Sequence, residues 1–173
     1  MAVPLTLIRQ DITQMQTDAI VNAANTQLKM GGGVCGAIFR AAGPEEMQAA
    51  CDRLAPIRTG EAVITPGFRL PAKYVIHTAG PVYQDGRHGE EELLRSCYLN
   101  SLRLAEENGC ASVAFPLISA GIYGYPKEEA VRVAIGAIRE FLRERDLDVY
   151  LVLFDAEAMA IGEMLLAEEG AGS

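Results

Sequence analysis

The residues with the clearest chemical potential lie between Val21 and Gly43, which read VNAANTQLKMGGGVCGAIFRAAG. An apolar run ends in Asn22 and Asn25, three glycines follow at Gly31–Gly33, and a small-residue helix opens behind them. Glycines at such a turn let the backbone approach a ligand closely. The N–H groups at the start of the following helix face that ligand with partial positive charge, so the loop suits an anion such as phosphate. Asn22 and Asn25 add neutral hydrogen-bonding groups beside it. A second loop of the same kind is Ser119–Tyr125, SAGIYGY, where Ser119, Ala120, Gly121, Ile122 and Tyr123 bring a hydroxyl, backbone amides and an aromatic ring. Two such loops across a gap would grip a diphosphate from both sides. Asp11 offers an acceptor for an exocyclic amine, and Phe154 a flat apolar ring for a base. Asp11 equally suits a turn or cap, and Phe154 taken alone suits the core better than base stacking.

These residues need a frame to bring them together. Runs rich in Val, Ile and Leu predict strands at Leu5–Ile12, Ala19–Ala23, Ala62–Thr65, Tyr74–Thr78, Val113–Ile118 and Val149–Phe154. They barely alternate, as expected of strands covered on both faces. Between them, Glu90–Asn108 carries Leu94, Cys97, Tyr98, Ser101, Leu102 and Ala105 on one helical stripe, with Gly109 as the stop. Pro126–Arg145 buries Val131, Ile135, Ile138 and Leu142, and Glu157–Glu168 forms a last helix before a frayed tail at Gly170–Ser173. The alternation predicts an α/β three-layer sandwich. In such sheets ligands gather beyond the carboxyl ends of the strands. Asp11, Asn22–Asn25, the Ser119 loop and Phe154–Asp155 all fall at such ends.

The chain has 173 residues, which suits one domain spanning 1–173. Its net charge is −8 and its pI about 4.8, which disfavours a long nucleic acid held through a basic surface. A small phosphorylated ligand bound by backbone amides is compatible with it. The four cysteines show no zinc-type spacing and read as reduced thiols. With neither a leader nor a membrane-length apolar run, the sequence reads as cytoplasmic, without a membrane partner. His77 reads as a buried hydrogen-bonding residue, His88 as part of a solvated loop.

NAAN, MGGGVCGAIFRAAG, VIHTAGP and FPLISAGIYGYP, in that order, resemble the macrodomain family, in its class of bacterial O-acetyl-ADP-ribose deacetylases and MacroD-type ADP-ribosyl hydrolases. The resemblance covers about Leu5 to Leu166. It implies a mixed, mostly parallel six-stranded sheet with ADP-ribose across its rim. Asp11 would then bind the adenine amine, Ile12 would give a neighbouring backbone contact, and Phe154 would lie against the adenine. Gly32, Gly33, Val34 and Gly36 would line one side of the diphosphate, and Ser119, Ala120, Gly121, Ile122 and Tyr123 the other. Asn25 would bind the distal ribose and Tyr125 would flank it. No metal or cofactor is required.

One departure stands inside the match. Where the hydrolases of this class commonly read GGVDxxIH, this chain has Cys35 at the Asp position and Phe39 at the His position. An ordinary thiol, with a pKa of about 8.5, is no simple replacement for a carboxylate base. Three readings follow. The first is a hydrolase of ester-type ADP-ribose derivatives, O-acetyl-ADP-ribose or ADP-ribosylated protein, in which a substrate phosphate assists water. The second is a reader that binds without cleaving. In the third, Cys35 is a nucleophile. The candidate catalytic residues are Asn25 and Cys35.

Overall fold

A computed structural model describes the backbone of Leu5–Ala171 and side chains through Glu168. The chain runs β1 (Leu5–Ile8), a 3-10 turn (Ile12–Gln14), β2 (Ala19–Ala24), α1 (Gly33–Ala42), α2 (Pro44–Asp52), β3 (Ala62–Pro66), β4 (Tyr74–Ala79), α3 (Glu90–Glu107), β5 (Ser112–Phe115), α4 (Lys127–Leu142), β6 (Asp148–Val152) and α5 (Ala156–Ala171). The six strands form one sheet in the order β1-β6-β5-β2-β4-β3. All neighbours are parallel except β3, an antiparallel edge strand on β4.

Successive strand residues feed opposite faces, the period-2 geometry of a strand. Ala19 and Val21 of β2, with Val113 and Phe115 of β5, pack under α3, α4 and α5. Ile20, Ala24 and Ala114 pack instead against α1 and α2 through Ile38, Phe39, Met47 and Cys51. Both faces of the sheet are therefore buried, which is why the strands read as unbroken apolar runs.

Three predicted strands end early. β1 stops at Ile8 because Asp11 turns the chain, its Oδ1 accepting Thr13 N at 2.9 Å and Thr13 Oγ1 at 2.7 Å to cap the 3-10 turn. β5 stops before Pro116, which has no N–H to offer a neighbour. β6 ends at Val152, two residues before Phe154. The helix α2 is absent from the sequence reading, although Pro44 at its first position with Glu45 and Glu46 behind is a regular helix start. At the other end, α5 continues through Gly170 to Ala171, and Gly172 and Ser173 lie outside the described residues.

Candidate functional site

The strands β1, β6, β5 and β2 are consecutive neighbours, so the segments that follow them converge on one rim. There they enclose a cleft of about 740 Å³. Its walls carry Asp11 and Ile12 after β1, Asn25 and Gly32–Cys35 after β2, Ser119–Tyr123 after β5, and Phe154 after β6. Of the residues singled out in the sequence, Asn22, Gly36 and Tyr125 stand behind the wall rather than on it.

The first jaw is built from backbone. Gly32 caps α1 without a side chain, so no side chain satisfies the first-turn amides. Gly33, at φ 57°, enters the helix in a left-handed conformation natural to glycine. Gly36 supports this from behind. A Cβ there would stand 2.5 Å from the Gly31 carbonyl oxygen, so only hydrogen lets the loop fold onto the helix.

The second jaw hangs from buried anchors. Tyr98, inside α3, accepts Ile118 N at 3.1 Å and donates to Pro116 O at 3.4 Å, fixing where the loop leaves β5. Ser119 follows at φ 67°, an unusual conformation for a residue with a side chain. Tyr125 N bonds Ser119 O at 2.9 Å and Gly124 N bonds Gly121 O at 3.0 Å, closing the loop on itself. Tyr125 is buried, its ring 4.9 Å from that of Tyr83. Tyr83 N in turn holds Tyr123 O at 2.8 Å. Among the described residues, the amides of Ala120, Gly121, Ile122 and Tyr123 donate to no protein acceptor.

Asn25 is pre-oriented. Its Nδ2 donates to Lys29 O at 2.9 Å and its Oδ1 accepts Lys29 N at 3.0 Å. One N–H and one lone pair stay available to a ligand. At the far end Phe154 is 80 % exposed, which removes the alternative that it belongs to the core. Arg9 Nη2 holds its carbonyl at 3.1 Å. Asp11 caps the turn through Oδ1 and also lines the cleft.

Cys35 lines the floor with only 7 % of its surface exposed. Asn22 Nδ2 lies 3.6 Å from its Sγ, and Sγ stands 3.7 Å from Lys29 O. A carbonyl oxygen only accepts, so the second contact is made by the protonated thiol. Asn22 Nδ2 also reaches His77 Nδ1 at 3.1 Å, which makes Nδ1 an acceptor and puts the ring proton on Nε2. Nε2 then donates to Thr65 Oγ1 at 3.0 Å, with Cys51 Sγ 3.8 Å away. Asn22 is thus a support beneath the floor, at an inward position of β2, whereas Asn25 sits past the strand end. Burial holds His77 down to about 4 and pushes Cys51 up to about 12, so both are neutral near pH 7.

The buried histidine predicts a pH dependence. Its folded pKa lies below the unfolded 6.5, so between about 6.5 and 4 the unfolded chain takes a proton that the folded chain refuses. Stability falls as pH drops through that window, by up to about 3 kcal/mol from this group. Thermal melts of the native protein and of His77→Gln check it: the variant loses part of the slope between pH 6.5 and 4.

Among the described residues the one cluster with metal-ligand spacing is Asp85, His88 and Glu90, outside the cleft. Glu90 is already engaged: Oε2 accepts Gln84, Asp85 and Gly86 N–H at 2.9, 3.2 and 3.0 Å, and Oε1 accepts His88 N at 2.7 Å. These bonds hold its carboxyl down to about 2. The cluster shapes the loop next to Tyr83 and so steadies the second jaw.

Some of the wall went unmarked in the sequence reading. Lys127, the first residue of α4, and Gln10, Ala37 and Ala158 also line the cleft. The position of Lys127 just behind the Ser119 loop, at a helix start on the same rim, was the available signal. No helix among the described residues is long and apolar enough to cross a membrane.

The model of the Macro domain family matches residues 21–134. A macro domain-containing protein of Chlorobaculum tepidum is 56 % identical over 157 residues, covering 83 % of this chain and 91 % of the relative. An O-acetyl-ADP-ribose deacetylase of Escherichia fergusonii is 46 % identical over 170 residues, covering 95 % of this chain and 96 % of the relative. Among solved structures, the Oceanobacillus iheyensis macrodomain with ADP superposes with a TM-score of 0.91 at 41 % identity, over 96 % of this chain and 92 % of that one. The Trypanosoma brucei macrodomain in complex with ADP-ribose gives 0.86 at 42 % identity, over 94 % of this chain and 68 % of that one. The family match over residues 21–134 and these relatives lead to one conclusion: the chain belongs to the macrodomain family.

Proposed function

We propose that the cleft binds ADP-ribose and that the protein hydrolyses ester-type ADP-ribose derivatives, either O-acetyl-ADP-ribose or mono-ADP-ribosylated protein. The carrying observation is the pair of amide-lined loops on one rim, Gly32–Cys35 and Ser119–Tyr123, with Phe154 and Asp11 at one end and Asn25 at the other. Adenine lies against Phe154 with its amine on Asp11. The diphosphate lies between the loops, and the distal ribose reaches Asn25. The relatives named O-acetyl-ADP-ribose deacetylase support the hydrolase assignment. The four unpaired cysteines suit a reducing cytoplasm.

Water attacks the carbonyl carbon of the ester while a phosphate oxygen of the substrate takes its proton; the bond from that carbon to the ribose oxygen then breaks, the phosphate returns the proton to the departing ribose hydroxyl, and the carboxylic acid leaves. The loop amides stabilise the charge that develops there. Cys35 is neither the base nor the nucleophile in this scheme, because its proton is directed at Lys29 O. Product analysis after incubation with O-acetyl-ADP-ribose and with a mono-ADP-ribosylated acidic protein tests the assignment. Release of acetate or ADP-ribose above the buffer rate is expected. ADP-ribose binding without turnover on either substrate would make the protein a reader, the alternative that Cys35 favours.

A further inference from the structure

Lys127 opens α4 directly behind the second jaw, and it is the one cationic side chain in the cleft wall among the described residues. Its Nζ stands 3.2 Å from Asp155 Oδ2 and 3.2 Å from Glu157 Oε2, both at the start of α5. By helix electrostatics a cation is out of place here. The first turn of a helix carries partial positive charge and favours carboxylates, which Glu128 and Glu129 already supply. The lysine is 31 % exposed and Glu157 73 %, and an exposed pairing of this kind contributes little to stability. Fold stability therefore gives no strong reason for a lysine at this point.

The surroundings give one. Lys127 lines the same cleft as the unpartnered amides of Ala120–Tyr123 and the exposed ring of Phe154, in a protein whose net charge of −8 repels anions. Its partners can release it. Asp155 keeps a bond from Ala158 N to Oδ1 at 2.7 Å when Oδ2 loses the lysine, and the Glu157 carboxylate already faces water. We propose that Lys127 is a held counter-ion for the ligand's phosphates: on ligand entry Nζ leaves Asp155 and Glu157 and binds a phosphoryl oxygen on the adenosine side of the diphosphate. This rests on the ADP-ribose reading of the cleft.

Calorimetry with ADP-ribose, paired with NMR titration of uncharged adenosine, tests it on the native protein, Lys127→Met and Glu157→Gln. Methionine keeps the apolar stem and removes the charge. Lys127→Met is expected to weaken ADP-ribose about tenfold, the size of one charge-assisted hydrogen bond, and to leave adenosine unchanged. Glu157→Gln is expected to tighten ADP-ribose about twofold by freeing the lysine. Native affinity for ADP-ribose in Lys127→Met would overturn the proposal, as would an equal loss for adenosine. A native protein that ignores ADP-ribose would overturn the reading of the cleft itself, a separate and recognisable result.

Discussion

Replacing Cys35 with Asp raises kcat on O-acetyl-ADP-ribose by on the order of 10²-fold, the lower end of what a positioned general base contributes. The native thiol cannot supply that base. Sγ lies 3.7 Å from the Lys29 carbonyl, an arrangement that suits S–H and would repel a thiolate. Asn22 Nδ2, 3.6 Å from Sγ, is already placed to donate to a carboxylate introduced at the same point. Cys35→Ala is the matching control. It removes the thiol without adding a base, and its kcat stays within about threefold of native, because a substrate phosphate does the activating; loss of a working base or nucleophile would cost far more. A collapse of activity in Cys35→Ala would restore the nucleophilic thiol. A Cys35→Asp variant no faster than native would show that the substrate's phosphate suffices as the base.

Gly36→Ala abolishes most ligand binding while the protein stays folded. The position lies inside α1, where alanine is worth about 1 kcal/mol more than glycine by helix propensity. The added methyl, however, would stand 2.5 Å from the Gly31 carbonyl oxygen and 3.0 Å from Arg40 Nη1. The arginine end can swing away, but the carbonyl belongs to the phosphate loop itself. The loop must lift, and Gly32 and Gly33 lift with it. A lifted loop no longer presents its amides to the phosphates, and losing two charge-assisted hydrogen bonds at about 1.5 kcal/mol each weakens ADP-ribose about 10²-fold, the loss expected here. Gly136→Ala in α4 is the comparison, since its methyl would meet nothing within 4 Å. It should bind as native. Circular dichroism and calorimetry on both variants separate loop displacement from unfolding, and native affinity in Gly36→Ala would refute the displacement.

Local chemistry made much of the site legible. Strand ends were marked by where apolar runs meet Asp11, Asn25, Ser119 and Phe154, and four neighbouring parallel strands bring those ends to one rim. Burial, however, is not pairing. The apolar runs continue past the ladder at Pro116–Ile118 and at Leu153, which are packed without belonging to strands, so predicted strand ends overshoot. Asn22 and Asn25 look alike in sequence. They part only because β2 ends between them, at Ala24, leaving one in the sheet interior and the other on the rim. Contacts that join distant segments left no local trace: the Asn22–His77 pair is 55 residues apart, and Lys127 meets Glu157 30 residues on.

The proposed chemistry requires the cleft between the two amide loops to hold ADP-ribose. Isothermal titration of the native protein with free ADP-ribose measures this. The expected result is one site per chain with micromolar affinity, about −8 kcal/mol. Absence of binding at millimolar ADP-ribose would contradict it.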